Sequence, residues 1–341
     1  MAASDKSNRH SYGEIKDLLE RILLKHGFSG ERAELCARLF TETSLDGVYS
    51  HGLNRFPLFV ENVIKGVIRP DKEPSLIRAV HHFEKYDGNL GPGNLNAWFC
   101  MDRAVNLAGK YGTGIVSLRN TNHWLRGGTY GLQAARQDCI GICATNTKPN
   151  MPPWGGRKAM IGNNPFIIAV PHDPYPVLLD MAMSQFSYGK MELLSRQGEK
   201  FSYPAGFDRD FSLTKDPGEI LASELALPMG YWKGSGLAIM IDMLVAVLSD
   251  GQTTGDIGRL EDETALSQLF LAMDLGQLCD RGSGDRIVRR ILDSVTGCDP
   301  VKPGDQVHYP GHRTWLRRME NEKAGIPVPG DIWEKLTSMP I

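Results

Sequence analysis

The stretch Tyr111-Gly-Thr-Gly-Ile-Val-Ser-Leu118 decides which of the common α/β folds this sequence can form. A dinucleotide fingerprint has the pattern Gly-x-Gly-x-x-Gly and joins a strand to the helix that follows it. Here the two glycines precede a β-rich run, and Ser117 occupies the third glycine position. Gly91-Pro-Gly93 and Gly234-Ser-Gly236 lack the third glycine as well, and no P-loop motif occurs. The sequence therefore does not predict a Rossmann domain or a P-loop domain.

The rest of the chain contains both helical and β-rich segments. Apolar residues recur at helical spacing through residues 1–75, which predicts helices from Ser11, from Ser29 to Thr43 and from about Ser50 to Ile64. Short β-rich runs follow at Gly114–Leu118, Ile140–Ala144, Phe166–Val170, Val177–Asp180 and Leu269–Met273. We therefore expect a mixed α/β (α+β) fold. Its helical region, residues 1–75, should pack with residues 276–341, and residues 76–275 should form a second domain.

Composition and charge argue against several classes of partner. The chain has 341 residues, with 38 Lys and Arg against 40 Asp and Glu, a formal net charge of −2. Nucleic acids and anionic membranes need a basic face, and the most apolar run, Leu237–Leu248, is too short to span a bilayer. Six scattered cysteines without a Cys-x-x-Cys pair are typical of reduced, buried thiols in a cytosolic protein. We expect a cytoplasmic protein without a metal site, a secretory signal, or a nucleic-acid or membrane partner.

The segment Ser50-His51-Gly52-Leu53-Asn54-Arg55 places a histidine and an arginine four residues apart. On a helix this spacing puts both side chains on one face. Such a pair suits a proton donor beside an anchor for a carboxylate. A capping turn with a solvated histidine and arginine fits the same residues, so both interpretations remain open at this point.

Three further polar residues lie beside predicted strands or helices. His123, in Asn122-His123-Trp124, follows a β-rich run, where loops often carry function, although a tryptophan-anchored turn fits as well. Asp180 ends an apolar run and needs a partner there. It could orient a histidine or a nicotinamide, or cap a helix. Lys233 precedes a predicted helix and suits either a diphosphate contact or an ordinary surface position.

Several longer stretches together resemble the malate/L-lactate dehydrogenase family, which does not use a Rossmann fold. The resemblance runs from about Tyr12 to Trp333, and it is carried by Gly47–Pro57, Leu118–Trp124, Arg126–Gly128, Met151–Gly155, Ile161–Pro165, Ser184–Gly189 and Leu227–Gly236. It implies a non-Rossmann NAD(P)-binding fold with a largely antiparallel sheet, in which residues 76–275 form the NAD(P)-binding and catalytic domain. It also implies a cytoplasmic homodimer.

The resemblance further implies a reaction and the residues that perform it. The reaction is the reduction of a small-molecule keto acid, 2,3-diketo-L-gulonate, to 3-keto-L-gulonate by hydride transfer, with NADH favoured and NADPH as the alternative. His51 matches the family's proton donor, and Arg55 and His123 match positions that face the substrate. The matched cofactor contacts are Pro176, Val177, Leu178, Leu179, Asp180, Met181 and Ala182, then Trp232 and Lys233, then Gly311, His312 and Arg313.

Three residues depart from the family's pattern. Lys148 and Asn150 replace apolar residues, and we predict that Lys148 binds the substrate. Arg313 replaces an acidic residue, and an arginine beside the adenosine ribose favours the 2′-phosphate of NADPH. Other activities remain open: a malate, lactate or ureidoglycolate dehydrogenase, an imine reductase, a non-catalytic ligand-binding protein and a metal-dependent hydrolase.

Overall fold

The structure is a computed structural model that describes residues 9–280 and 282–341. The helices are α1 Tyr12–Lys25, α2 Gly30–Leu45, α3 Phe56–Ile64, α4 Gly93–Tyr111, α5 Gly128–Ala135, α6 Tyr188–Gln197, α7 Pro217–Ser223, α8 Trp232–Ser249, α9 Thr254–Ile257, α10 Leu275–Leu278, α11 Ser283–Thr296, α12 His312–Ala324 and α13 Gly330–Thr337. The strands are β1 Arg9–His10, β2 Ser75–Val80, β3 Phe83–Asp87, β4 Thr113–Thr121, β5 Cys139–Thr145, β6 Phe166–Val170, β7 Val177–Met181, β8 Gly206–Phe207, β9 Leu213–Thr214, β10 Leu266–Asp274 and β11 Ile326–Pro327.

The central element is a seven-stranded sheet in the order β2-β3-β4-β10-β5-β6-β7. Only β3 and β4 pair in parallel, and every other neighbouring pair in this sheet is antiparallel. The five β-rich runs found in the sequence form β4, β5, β6, β7 and β10, with ends displaced by a few residues. The predicted mixed α/β fold with a largely antiparallel sheet is therefore confirmed.

One edge of this sheet collects loops from five strands. The register pairs Thr121 with Leu266 and Thr145 with Gln268, while Phe166 pairs with both Ala144 and Met181. Strands β4, β5 and β7 therefore end at this edge, and β6 and β10 begin there. The loops that follow or precede these strands converge on one region although they are far apart in sequence.

The N-terminal helices form a separate core. Ser11 caps α1 by accepting a hydrogen bond from the Glu14 backbone nitrogen at 3.1 Å, as the sequence pattern indicated. The apolar stripe of α1 is buried against α2, α3 and residues of β11 and α13, among them Ile326 and Leu336. Strand β1 also pairs with β11. The N-terminal helices thus contact the C-terminal segment, while the domain boundaries at 75 and 276 stay a prediction.

The expected helix from Ser50 to Ile64 is wrong in its first part. Residues Tyr49–His51 and Leu53–Arg55 form two short 3₁₀ turns, and α3 begins only at Phe56. Pro57 has no backbone N–H to donate to Leu53, and its ring would clash with that carbonyl in a continuous helix. Gly52 separates the turns and leaves no room for a side chain, because an added Cβ would lie 2.1 Å from Ser44 Oγ.

The cysteines differ from the sequence-based expectation in part. Cys36, Cys100, Cys139 and Cys143 are buried free thiols, but Cys279 and Cys298 are exposed. The two exposed thiols flank α11, a helix with no buried residue. These two thiols are exposed because α11 and its ends pack against none of the three hydrophobic clusters that the described residues form.

Helix α8 has the length and composition of a membrane-spanning helix, and among the described residues it alone does. One side of it packs on the sheet through Ala238, Ile241 and Val245, which are buried in a core cluster with Leu269 of β10. The opposite side leaves apolar side chains exposed, and these are Leu237, Met240, Met243, Leu244 and Val247. The helix is thus half a core element and half an unpartnered apolar surface.

A buried carboxylate, Asp46, connects four separate segments of the chain. It follows α2 and forms an ion pair with Arg126, and both side chains are 3% exposed. Arg318 Nη1 of α12 donates to Asp46 Oδ1 at 2.8 Å, and Tyr175 Oη donates to Asp46 Oδ2 at 3.1 Å. Burial raises the pKa of Asp46, but the two guanidinium groups outweigh it and hold this pKa below its usual value. Asp46 is therefore an anion that depends on both arginines.

Asp46→Asn should lower the free energy of unfolding by about 3–5 kcal/mol, because the buried Arg126 would lose its counter-charge. Arg289→Ala is the matched control, since it breaks the exposed pair between Arg289 and Asp285 and should change the free energy of unfolding far less. Urea unfolding at neutral pH, followed by circular dichroism, measures both. Equal effects of the two substitutions would contradict the structural role of Asp46.

Candidate active site

The main cavity lies between the N-terminal helical region and the sheet edge where the loops converge. Its volume is about 870 Å³, within the usual range for small-molecule sites. The 3₁₀ turns that carry His51 and Arg55 form one wall. The ends of β5 and β7, the start of α6 and the start of α12 form the others. The cavity therefore has contributions from both parts of the fold.

His51 enters this cavity with its ring held in a defined orientation. Its Nδ1 is 2.9 Å from Ser50 Oγ, so Nε2 is the ring nitrogen left for a ligand. Burial lowers the pKa of His51, the Asp180 carboxylate raises it, and Arg55 and Arg126 lower it further. The net pKa lies below the usual value, which makes the free imidazole predominantly neutral at pH 7.

His123 faces His51, with ring centroids 6.1 Å apart. The backbone N–H of Leu125 donates to His123 Nδ1 at 3.0 Å, so the neutral ring carries its proton on Nε2. Burial lowers the pKa of His123 strongly, and the positive charge of Arg55, together with that of His51 when it is protonated, lowers it further. His123 is therefore a neutral hydrogen-bond donor.

Arg55 supplies positive charge to the same cavity. It lies in the second 3₁₀ turn, half-buried, four residues after His51. In the part of the chain that the structure describes, its guanidinium makes no hydrogen bond or ion pair. A guanidinium in this state binds a carboxylate through two parallel hydrogen bonds. The proximity of His51 and Arg55 predicted from the sequence holds, although two turns rather than one helix produce it.

Asp180 is an acidic group of the cavity. Its Oδ2 accepts a hydrogen bond from the Gly128 backbone N–H at 2.9 Å and lies 3.8 Å from Arg126 Nε. Gly128 permits this contact because an added Cβ would lie 2.6 Å from the same oxygen. Since Arg126 also pairs with Asp46, one buried guanidinium lies between a structural carboxylate and a carboxylate that acts on the pKa of His51.

Two of the predicted cofactor segments meet in the structure. Leu178 N donates to Pro310 O at 3.2 Å, which joins β7 to the turn before α12. Gly311 caps α12 with φ of +88°, and an added Cβ would lie 3.0 Å from Leu178 N. The residues of these segments that line the cavity are Leu178, Leu179, Asp180, Ala182, Pro310, Gly311 and Thr314.

The remaining predicted cofactor residues do not line this cavity. Pro176, Val177 and Met181 belong to or precede β7 but are outside the lining, as are His312 and Arg313, which begin α12. Arg313 is exposed. Trp232 and Lys233 lie at the exposed start of α8, and Trp232 is 64% exposed. A single chain therefore assembles part of the predicted cofactor set.

Lys148 does not occupy the place predicted for it. Its Nζ donates to the Glu261 carbonyl at 2.7 Å, and its side chain is not part of the cavity lining. The Lys148 backbone N–H instead donates to Glu263 Oε1 at 3.1 Å, and Glu263 does line the cavity. The Glu261 carbonyl thus holds the ammonium group away from the cavity, and substrate binding by Lys148 stays a prediction.

Four residues of this site carry no signal in the sequence that points to their role. Ser50 and Arg126 stand inside stretches that carry the family resemblance, so their positions were visible but their partners were not. Tyr188 lines the cavity and donates through Oη to the Asn150 carbonyl at 2.5 Å. Glu263 precedes β10 and has no local pattern that distinguishes it from a surface acid.

Comparisons with known proteins agree with this architecture. The family model for malate/L-lactate dehydrogenase matches residues 10–337. A 2,3-diketo-L-gulonate reductase from Citrobacter koseri is 42% identical over 330 residues, covering 96% of this chain and 99% of that protein. Malate dehydrogenase from Entamoeba histolytica has a similar structure, with a TM-score of 0.92 at 26% identity, covering 97% of this chain and 96% of that one.

Sulfolactate dehydrogenase from Methanocaldococcus jannaschii is also similar, with a TM-score of 0.87 at 30% identity. That match covers 96% of this chain and 95% of the other. The family match, the full-length relative and the shared fold all agree on one family. The chain therefore belongs to the malate/L-lactate dehydrogenase family and is an oxidoreductase.

Proposed function

We propose that this protein reduces 2,3-diketo-L-gulonate to 3-keto-L-gulonate, with a reduced nicotinamide dinucleotide as hydride donor. The relative that bears this activity in its name is 42% identical over nearly the whole chain. The observation that carries the proposal is the cavity itself, where His51, His123 and the unpaired Arg55 face one space. Together they provide a proton donor, a neutral hydrogen-bond donor and an anion anchor, which the reduction of a keto acid needs.

The residues present fit a nicotinamide dinucleotide. The start of α12 lies against β7 so closely that only glycine is accommodated at position 311. A helix N-terminus favours the negative charge of a diphosphate, and the Pro310–Gly311 turn lies at the cavity wall. Leu178 and Leu179 would hold the cofactor from the β7 side. When bound, the reduced nicotinamide supplies a hydride to the ketone carbon.

Arg55 and His123 would orient the substrate. The guanidinium of Arg55 would hold the carboxylate, which fixes which ketone faces the hydride donor. His123 Nε2–H would donate a hydrogen bond to a substrate oxygen, because its Nδ1 is already occupied by the Leu125 N–H. Both residues act without changing their own protonation.

His51 would supply the proton. Its Nε2 donates to the oxygen of the reacting ketone as negative charge grows there. Asp180 raises the pKa of His51 and thus favours the protonated ring, while Arg55 opposes it. A substrate carboxylate bound to Arg55 would cancel part of this opposition. Substrate binding and protonation of His51 are therefore coupled in the proposed mechanism.

We also propose that the protein is a homodimer whose subunits meet through the exposed side of α8. The apolar residues Met240, Met243 and Val247 lie three to four positions apart on that side. A contiguous apolar patch of this kind marks an interface. Trp232 and Lys233 begin the same helix, outside the cavity of their own chain. Across such an interface they would contact the cofactor of the other subunit. The free cysteine thiols fit the proposal that this dimer is a cytoplasmic enzyme.

Substrate and cofactor are tested together by following NADH or NADPH oxidation in the near ultraviolet. We expect faster oxidation of the cofactor with 2,3-diketo-L-gulonate than with oxaloacetate, with pyruvate or with the keto acid that corresponds to ureidoglycolate. NADH is the expected donor, and Arg313→Glu should reduce any turnover with NADPH, because it reverses the charge available to a 2′-phosphate. Oxidation with another acid alone would replace the proposed substrate, and none with any acid would contradict the proposed reduction.

His51→Ala should lower turnover by roughly 10²- to 10⁴-fold, because it removes the proton donor. The dissociation constant of NADH, measured by fluorescence titration, should stay unchanged. His82→Ala is the matched control, since His82 is exposed in the turn that joins β2 to β3 and does not line the cavity. Near-normal turnover of the His51 variant would remove His51 from the role.

The pH dependence of kcat/KM tests whether His51 acts in its protonated form. The kcat/KM for reduction should fall as pH rises through the pKa of His51, at a pH below the usual 6.5, because the protonated ring is required. Asp180→Asn should move this fall to lower pH, since it removes the group that raises this pKa. A profile that is flat from pH 5 to 8, or one displaced to higher pH in the variant, would contradict the assignment.

Val247→Glu should convert the dimer into a monomer, because it places a charge within the apolar patch, where Val247 is 72% exposed in one chain. Sedimentation velocity measures the change. Ile64→Glu is the matched control, since Ile64 is 68% exposed on α3, away from α8. A monomeric parent protein would contradict the proposed dimer, and a dimeric Val247 variant would place the interface elsewhere.

A further inference from the structure

Glu263 is a carboxylate in the cavity that the proposed mechanism does not use. It stands just before β10, at the sheet edge where the loops converge. The next residue, Thr264, donates through Oγ1 to Asn122 Oδ1 at 2.8 Å, and Asn122 precedes His123. This hydrogen bond holds the Glu263 loop beside the His123 loop. Glu263 thus enters the cavity from the sheet, whereas Arg55 enters from the helical region.

The contacts of Glu263 leave one of its oxygens available. Oε1 accepts a hydrogen bond from the Lys148 backbone N–H at 3.1 Å. The Lys148 ammonium points to the Glu261 carbonyl and does not neutralise the charge. Across the described residues, Oε2 of Glu263 has neither a hydrogen-bond partner nor an ion-pair partner. The cavity therefore contains a positioned anion with a free acceptor.

The surroundings of Glu263 are polar. Thr147 Oγ1 donates to Asn163 Oδ1 at 3.1 Å, and Asn150 Nδ2 donates to the same oxygen at 2.9 Å. Thr147, Asn150 and Asn163 all line the cavity together with Glu263. This wall offers hydrogen-bonding groups to a ligand, where an apolar wall would favour an alkyl chain.

Glu263 itself stands away from β7, the strand that carries predicted cofactor residues. Strands β5 and β6 lie between β7 and β10, which follows Glu263, so β7 and β10 are three strand spacings apart, or roughly 14 Å. Glu263 is therefore placed to meet the substrate, at a distance from the cofactor residues of β7.

We propose that Glu263 determines substrate specificity by accepting hydrogen bonds from the hydroxyl groups of a polyhydroxylated acid and by repelling a second negative charge. A charged acceptor binds hydroxyl groups more strongly than a neutral one does. The same carboxylate disfavours a dicarboxylate such as oxaloacetate, so attraction and repulsion select the same class of substrate. The inference rests on the proposed function, because it assumes that Arg55 binds the carboxylate of a keto acid.

Glu263→Gln tests this inference, since it removes the charge and preserves the size of the side chain. The kcat/KM for 2,3-diketo-L-gulonate should fall about 10- to 100-fold, mainly through KM, because a hydrogen bond to a charged group is lost. The kcat/KM for oxaloacetate should rise, and that for pyruvate, which has neither a hydroxyl tail nor a second charge, should stay within about threefold. Glu261→Gln is the matched control and should leave all three values unchanged.

Equal losses with all three acids would show that Glu263 is only structural, and an unchanged ratio of diketo acid to oxaloacetate would overturn the inference. Calorimetric binding of L-gulonate, malate and lactate in the presence of the nicotinamide cofactor provides a second readout that does not require turnover. Glu263→Gln should weaken L-gulonate and strengthen malate. A parent protein inactive with the diketo acid would refute the proposed substrate. The malate-to-lactate binding ratio would still decide whether Glu263 repels a second charge.

Discussion

The arrangement of this molecule depends on the ion pairs that the buried carboxylate of Asp46 forms. It pairs with Arg126 and Arg318 and accepts a hydrogen bond from Tyr175. A charge buried at this depth is tolerated only when it is fully paired. The end of α2, the loop before α5, the segment before β7 and α12 must therefore come together in one geometry. Each of these segments leads directly into a wall of the cavity.

The charges of the cavity follow from this arrangement. Arg126 forms an ion pair with Asp46 through Nη1, and its Nε lies 3.8 Å from Asp180 Oδ2. Asp180 in turn is the one group that raises the pKa of His51 against burial and two nearby arginines. The structural ion pair and the protonation of His51 are thus connected through a single side chain. A substrate anion at Arg55 would complete the charge balance.

This oxidoreductase has a largely antiparallel sheet, so a dinucleotide site on it is built differently from one on a parallel sheet. Close approach of backbone segments still requires glycine, but at separated positions. Gly128 lets its own N–H reach Asp180, and Gly311 lets α12 approach β7. These glycines lie 183 residues apart, which is why they form no local fingerprint of the kind that identifies a Rossmann domain.

Elements with a local signal are the ones that the sequence predicts. The β-rich runs located five of the seven strands of the central sheet, the Ser11 cap began α1, and the missing third glycine gave no support to a Rossmann domain. The stretch around His51 and Arg55 also indicated the active-site pair. Its helix was predicted wrongly, because the effects of Pro57 and of the crowding at Gly52 outweigh helical periodicity.

The pairing of the polar groups, and which of them remain available, depends on the packing of distant segments. Asp46 meets Arg126 across 80 residues and Arg318 across 272, and no spacing rule encodes such partners. The Lys148 ammonium donates to the Glu261 carbonyl, and Glu263 lines the cavity. The physical reason is that the cost of burying a polar group depends on every neighbour that the folded chain brings to it. That set of neighbours exists only once the strands and helices have packed.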